Sequence, residues 1–322
     1  MTAIFSTHTL HPEVTENLRA MGELRIASAP LPDAIAEESK GAGIIVVRAP
    51  IPPEVITRET GLRACVRHGA GLDMIPVDVA TEAGVLVANV PGANAVTVAE
   101  HAIWSALALL RRHPRVNTDL RSSGWEAGRR HANEGRELSG RVLGLLGAGN
   151  IGQAAARIGK YGFGMQVIAQ TRTPSKLPDF ISPVSLDQLL AQADVLVLCC
   201  PLNDETKGII SKQAIAAMKP GAILVNVSRG PVVDESALIE ALASNQLGGA
   251  TVDVFETQPL PGDHPFFDLS NVILTPHMAG ITEESMLRMG QGVVQAVRAI
   301  LAGELPDTLV NPDAVPRYES RF

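Results

Sequence analysis

The run Arg141-Val-Leu-Gly-Leu-Leu-Gly-Ala-Gly-Asn-Ile-Gly152 decides how this chain is read. RVLGLL (Arg141–Leu146) is continuously apolar, as in a strand buried on both faces. It leads directly into Gly147-Ala148-Gly149-Asn150-Ile151-Gly152, a G-x-G-x-x-G, and a helical pattern follows over Ile151–Tyr161. Strand, glycine loop and helix form the context in which this spacing has a mechanism. Gly147 permits the tight turn, Gly149 lets a pyrophosphate reach the backbone, and Gly152 lets helix and strand pack closely. The helix N-terminus offers free N–H groups and a partial positive charge. The stretch predicts a dinucleotide-binding turn; the alternative is a purely structural turn.

Working outward, short β-rich runs alternate with helical stretches. Before the turn stand AIFS (Ala3–Ser6), GIIVV (Gly43–Val47), ACV (Ala64–Val66) and VLVA (Val85–Ala88). After it come QVIA (Gln166–Ala169), VLVLCC (Val195–Cys200), AILVNV (Ala222–Val227), ATVDV (Ala250–Val254) and VILT (Val272–Thr275). Runs that do not alternate polar and apolar predict βαβ units and mostly parallel sheets, an α/β fold. The two sets are separated by an apolar helical run, Thr97–Arg112, which reads as a linking helix. The polar stretch Arg111–Glu137 shows no strand signal and reads as a surface excursion. Glu284–Ala302 reads as a helix ended by Gly303, and Pro306–Phe322 as irregular.

A length of 322 residues predicts about two domains. With 46% hydrophobic and 19% charged residues, disorder and coiled coil are excluded as readings of the whole chain. Aromatics are only 3%, so Ala, Val, Leu and Ile must fill the core. The net charge is −7 and no Lys/Arg block exceeds a pair, which argues against a nucleic-acid partner. The longest apolar stretch, Ala102–Leu110, is far short of the ~20 residues of a membrane span, and the start does not read as a signal peptide. Three cysteines (Cys65, Cys199 and Cys200) without secretory features predict a reduced, cytoplasmic protein. No Cys/His spacing suits a zinc site.

The second strand of a dinucleotide fold selects the cofactor. An acid about 20 residues beyond the glycines would bind a ribose 2′-hydroxyl. Here the strand end reads Ala169-Gln170-Thr171-Arg172-Thr173, with no acid. Arg172 suits a 2′-phosphate, and Thr171 and Thr173 can donate to it. NADP(H) is therefore the expected cofactor, with NAD also usable; the alternative is a solvated surface arginine.

Together the motifs resemble the D-isomer-specific 2-hydroxyacid dehydrogenase family. The likeness runs through Arg67–Ala102 (RHGAGLDMIPVDVATEAGVLVANVPGANAVTVAEHA), Glu137–Gly152, Pro201–Ile210 (PLNDETKGII), Asn226–Leu238 (NVSRGPVVDESAL) and Asn271–Gly280 (NVILTPHMAG), nearly the whole chain. It implies two Rossmann-like or flavodoxin-like parallel-sheet domains, with the cofactor domain inserted into a discontinuous substrate domain. The expected boundaries are 1–98 with 288–322 for substrate and 99–287 for the dinucleotide, with the active site in the cleft and a homodimeric assembly. The resemblance implies cofactor contacts from Gly147, Gly149, Asn150, Ile151, Gly152, Thr171 and Arg172. Cys200 and Pro201 match the segment flanking the adenosine side. Thr206, Val227, His277 and Gly280 complete the cofactor set, with Asp253 toward the nicotinamide carboxamide or simply a strand-end acid held by backbone N–H groups.

Reducing a 2-keto acid needs a hydride donor, a proton donor and a cation for the carboxylate. Arg229 follows the strand AILVNV and offers a fixed, permanently charged fork. His277 follows VILT and has an ordinary pKa suited to proton transfer near neutrality. The resemblance assigns these roles to them. Gly69-Ala70-Gly71 forms an expected anion nest for the substrate carboxylate, with Asn94 nearby; Arg48 either approaches the cleft or is a surface charge. His101, after Glu100 on the linking helix, either is structural or approaches the cleft, and His68, His113, His131 and His264 receive no chemistry.

One position departs from the family. Its catalytic Glu falls where Asp253-Val-Phe-Glu256-Thr-Gln258-Pro259 places Gln258. A neutral amide keeps a hydrogen bond to the imidazole but not the charge that raises its pKa, so His277 is expected to lose its proton at lower pH than in relatives. Glu256 either substitutes or is a surface acid. Arg229, His277 and Gln258 form the expected catalytic set. The expected substrate is a small 2-keto or 2-hydroxy acid, with glyoxylate or hydroxypyruvate favoured by Arg172 and by the lack of a C-terminal regulatory domain. The alternatives are a D-3-phosphoglycerate dehydrogenase-like enzyme and a low-turnover nucleotide-sensing interaction protein.

Overall fold

The structure is a computed structural model and describes residues 2–322. The chain divides into two compact units, one formed by the chain up to Asn94 with Ile281–Phe322, the other by Ala95–Gly280.

The first unit carries strands β1 (Ala3–Ser6), β2 (Glu23–Ile26), β3 (Ile44–Val47), β4 (Ala64–Arg67) and β5 (Leu86–Ala88). They form a five-stranded sheet in the order β2-β1-β3-β4-β5, and every pairing is parallel. Helices α1 (Pro12–Arg19), α2 (Pro32–Glu38), α3 (Pro53–Arg58) and α4 (Val77–Glu82) make the connections. Successive side chains of a strand point to opposite faces, and each face has its own core. Ile4, Val46, Val66 and Leu86 pack with Val293 and Val297, whereas Phe5, Ile45, Cys65 and Val87 pack with Ile35 and Val55. That two-sided burial is why the runs read as continuously apolar.

The second unit opens with α5 (Ala95–Leu110), α6 (His113–Ser123) and α7 (Trp125–Arg129). It continues through β6 (Val142–Leu146), α8 (Asn150–Arg157), β7 (Gln166–Gln170), β8 (Ile181–Pro183), α9 (Leu186–Gln192), β9 (Val195–Leu198), α10 (Lys212–Ala216), β10 (Ile223–Asn226), α11 (Glu235–Ala243), β11 (Gly249–Val252) and β12 (Val272–Leu274). The seven strands order as β12-β11-β10-β9-β6-β7-β8, all parallel. Leu143, Val197 and Val225 join α5 and α8 in one core; Leu196, Leu224 and Ala250 join α9, α10 and α11 in the other. Chain direction diverges between β6 and β9, and an open α/β sheet binds ligands outside the carboxyl ends at such a point.

The expected strands are present, but several end earlier than their apolar runs. Val227, Cys199, Cys200, Asp253 and Thr275 lie beyond the last paired residues, in the loops at the carboxyl edge. β2 and β8 were not expected. Both are edge strands with little burial, so neither carries the apolar run that marks a central strand, and Pro183 is tolerated there because an edge has no partner for its missing N–H.

Two irregular expectations are corrected. The polar stretch Arg111–Glu137 contains α6 and α7; α6 buries no residue and begins with Pro114 in its first turn, so no apolar stripe announces it. The segment after Pro306 is an ordered strap. It includes α13 (Val315–Glu319), following α12 (Glu283–Leu301) in the first unit. Asn311 Oδ1 accepts the Val87 N–H at 2.7 Å, and Arg321 donates to the carbonyls of Ala83 and Thr60 at 2.6 and 2.7 Å. Its bonds run through long polar side chains to backbone, which hydrophobic periodicity does not register. No helix among the described residues is long and apolar enough to cross a membrane.

Candidate active site

The glycine loop is built for a close approach. Gly147 has φ +92°, and a Cβ there would stand 2.8 Å from the Cys200 backbone nitrogen. A Cβ on Gly152 would stand 2.5 Å from the Gly147 carbonyl oxygen, whereas one on Gly149 would meet nothing within 4 Å. Gly147 and Gly152 fold the turn, and Gly149 leaves open space above it. Helix α8 begins at Asn150 with no side-chain cap on Gly149 and no acid in its first turn. Its leading N–H groups are therefore available to an anion, so the residues present fit a pyrophosphate. Cys199 Sγ donates to the Gly147 carbonyl at 2.9 Å. Burial pushes the Cys199 and Cys200 thiols up, so both act as packing residues.

β7 ends at Gln170, followed by half-buried Thr171 and exposed Arg172. Arg172 forms no ion pair with a carboxylate among the described residues. After β9, the turn Pro201–Thr206 is tied by its own hydroxyl: Thr206 Oγ1 donates to the Pro201 carbonyl at 2.6 Å and accepts the Asn203 N–H at 2.9 Å.

After β10, Asn226 staples the next turn. Its Oδ1 accepts from Ser228 N–H at 3.1 Å and Ser228 Oγ at 2.9 Å, and its Nδ2 donates to the Arg229 carbonyl at 3.1 Å. The Arg229 guanidinium donates through Nη1 to the Ser228 carbonyl at 2.7 Å and stays half-exposed. Val227 is buried at the head of the same turn.

After β11 and β12, Asp253 organises the loop that carries His277. Only 2% of Asp253 is exposed. Its carboxylate accepts from Thr275 Oγ1 at 2.6 Å, Met278 N–H at 2.8 Å and Ala279 N–H at 3.0 Å, and its carbonyl accepts the His277 N–H at 2.8 Å. These bonds hold His277 at φ +53°, a left-handed conformation that side chains rarely adopt. Gly280 closes the loop. His277 Nδ1 lies 3.1 Å from Gln258 Oε1. Glu256 is exposed, and the amide of Gln258 faces the imidazole.

Sequence reading passed over several residues of this arrangement. Thr275 neutralises part of the buried Asp253 charge by donation, and His101 Nε2 stands 3.4 Å from Thr275 Oγ1. Burial lowers the pKa of His101, with Asp253 opposing the shift. Glu235, at the start of α11, pairs with His264 on the loop bearing Gln258. Thr275, Glu235 and His101 lie within the family-like runs, but their contacts are set by proximity in the fold.

In the first unit, Gly69-Ala70-Gly71 follows β4 with Gly69 at φ +137°. Val90 N–H donates to the Gly69 carbonyl at 2.9 Å, Asn89 Nδ2 to that of Ala70 at 2.8 Å, and Arg67 Nε to that of Gly71 at 3.0 Å. With the carbonyls so held, the N–H groups of Ala70 and Gly71 have no acceptor among the described residues, as an anion nest requires. Asn94, half-buried, ends this part of the unit. Arg48 bonds the Thr9 carbonyl and approaches Met286 Sδ at 3.6 Å, beside the buried His68.

The family model described as D-isomer specific 2-hydroxyacid dehydrogenase, NAD binding domain, matches residues 103–279. The D-3-phosphoglycerate dehydrogenase of Methanocaldococcus jannaschii is 35% identical over 98% of this chain and 61% of its own length. The chain thus spans about three fifths of that relative. The hydroxypyruvate reductase of Thermotoga maritima is 36% identical over 89% of this chain and 94% of its own. Among solved structures, the NADPH-dependent glyoxylate/hydroxypyruvate reductase of Sinorhizobium meliloti superposes with a TM-score of 0.86 at 28% identity, covering 97% of this chain and 99% of that one. A matching nucleotide-binding half, relatives along the full span and a shared fold lead to one conclusion: the chain belongs to the D-isomer specific 2-hydroxyacid dehydrogenase family.

Proposed function

We propose that the protein transfers hydride between NADP(H) and a small 2-keto or 2-hydroxy acid, with glyoxylate or hydroxypyruvate as the favoured class. The observation that carries this reading is the His277–Gln258 pair at 3.1 Å, on a loop fixed by Asp253 beside the glycine turn's sheet edge. The reduced nicotinamide, when bound, supplies the hydride to the substrate C2. With Nδ1 donating to Gln258 Oε1, His277 directs Nε2 outward; protonated there, it delivers a proton to the forming alkoxide, and neutral it accepts one in the reverse direction. Arg229 binds the carboxylate and polarises the carbonyl.

In this reading the second unit holds the nucleotide, with Asn150, Ile151, Cys200, Thr206, Val227, Asp253 and Gly280 around it. The first unit binds the acid through the nest at Gly69–Gly71 and through Asn94. The absence of an acid after β7, together with the unpaired Arg172, supports NADP(H) over NAD, as does the likeness to an NADPH-dependent reductase. A second copy of the chain as partner is supported by exposed Trp104 and Trp125 on α5 and α7. The phosphoglycerate dehydrogenase-like reading is the second one, favoured by the identity with that relative.

The test is product analysis. Hydroxypyruvate incubated with NADPH should yield the D-isomer of glycerate. Formation of the L-isomer, or of neither isomer together with no NADPH oxidation by glyoxylate, overturns the proposal.

A further inference from the structure

The loop that presents Gln258 to His277 runs from the end of β11 at Val252 to the start of β12 at Val272. One side chain of α11 fastens it at two points, on either side of Gln258. Glu235 is the first residue of that helix, after the N-cap Asp234, and is 15% exposed. Its Oε2 accepts the Glu256 N–H at 3.1 Å, and its Oε1 stands 3.1 Å from His264 Nε2. His264 Nδ1 accepts the Phe266 N–H at 3.3 Å, so the ring proton sits on Nε2 and is donated to Glu235. The imidazole is held in place by Phe266, with ring centroids 4.9 Å apart. On the other side the backbone of Gly230 lies against Phe255 and Glu256, so close that no Cβ fits. The loop of Gln258 is thus braced against the residue that follows Arg229.

We infer that Glu235 and His264 are positioning residues for proton transfer, because they clamp the loop that sets Gln258 Oε1 against His277 Nδ1. The inference rests on the proposed role of His277. Gln258 itself is exposed, and a single amide–imidazole hydrogen bond is too weak to order a loop. Two hydrogen bonds to one largely buried carboxylate are charge-assisted and do so without consuming the Gln258 side chain. Glu235 does not touch the His277 imidazole; it acts through Gln258. Glu235 lies in the run Asn226–Leu238 that also carries Arg229, and His264 in no motif, but the contact between them appears only in the fold.

The test is a double-variant cycle in the full chain. Glu235→Ala should lower kcat about ten- to a hundred-fold, the scale of a misplaced catalytic pair. NADPH affinity, measured by calorimetry, should be unchanged. Glu235→Gln keeps an acceptor for the Glu256 N–H and should fall between Glu235→Ala and the native protein. Added to Gln258→Ala, Glu235→Ala should cost nothing further; losses that multiply in the double variant overturn the clamp. A second readout needs no turnover. The His277 ring resonances, assigned by their loss in His277→Asn, should move in Glu235→Ala to where Gln258→Ala puts them. Resonances that stay at native positions overturn the inference. If the native protein turns over no 2-keto acid but the resonances move, the reading of the activity fails and the clamp stands. If turnover is intact and the resonances do not move, the clamp fails and the activity stands.

Discussion

Gln258 Oε1 lies 3.1 Å from Nδ1 of His277, so the imidazole leans on a neutral amide rather than on a carboxylate. The bond fixes the ring, and the amide itself adds no negative charge to favour the protonated form. A carboxylate at the same distance would favour the protonated ring and raise its pKa.

Gln258→Glu should therefore extend the protonated form of His277 to higher pH. The alkaline limb of the reduction rate should move up by about one to two pH units, the size expected for one close charge pair at intermediate dielectric. Superimposed pH–rate profiles of the native and variant proteins would contradict this.

Arg172→Ala should raise the KM for NADPH and leave that for NADH nearly unchanged. A charge-assisted contact to a phosphate is worth ~1.5–3 kcal/mol, so the loss should be about ten- to a hundred-fold. Equal effects on both cofactors would make Arg172 a surface charge.

Asp253→Asn should destabilise the second unit and slow turnover together. Three donors converge on the buried carboxylate, and an amide offers one oxygen and turns an N–H toward a donor. The cost should be about 1–3 kcal/mol in urea denaturation, the range for a buried polar group left unsatisfied. A variant with native stability and native kcat would remove Asp253 as the organiser of the His277 loop.

His68 should make the first unit acid-sensitive. Burial, and then the Arg48 guanidinium, push its pKa down to about 3. The unfolded chain takes up the proton near pH 6.5 whereas the folded one does not, so stability falls as pH drops from about 6.5 toward 3. At pH 5 the loss should be about 2 kcal/mol. His68→Leu should flatten this part of the stability curve, seen by denaturant titration at pH 7 and pH 5; equal losses in both proteins would contradict it.

The parallel-sheet core was legible because each central strand is buried on both faces, and Leu143, Val197 and Val225 announce that directly. The glycine loop was legible because three backbone constraints fall at fixed spacing. β2 and β8 escaped because edge strands carry only half the apolar signal. α6 and the terminal strap escaped because they are held by their own backbone or by arginine-to-carbonyl bonds. At the site, Arg229, Gln258 and His277 stand in motifs. Thr275, Glu235 and His264 act through contacts between segments far apart in the chain, and only folding brings them together.

In the proposed reaction the hydride passes from NADPH to the substrate C2, His277 supplies the proton and Arg229 holds the carboxylate. The most direct test follows NADPH oxidation optically with glyoxylate, hydroxypyruvate, phosphohydroxypyruvate and pyruvate from pH 5.5 to 8.5. The native protein, His277→Ala and Arg229→Ala are run side by side. The account predicts NADPH-preferring turnover with at least one of these acids, faster toward acid pH and abolished in both variants. Saturable NADPH binding with no oxidation of the cofactor by any of the acids, or turnover that survives loss of His277, would contradict it.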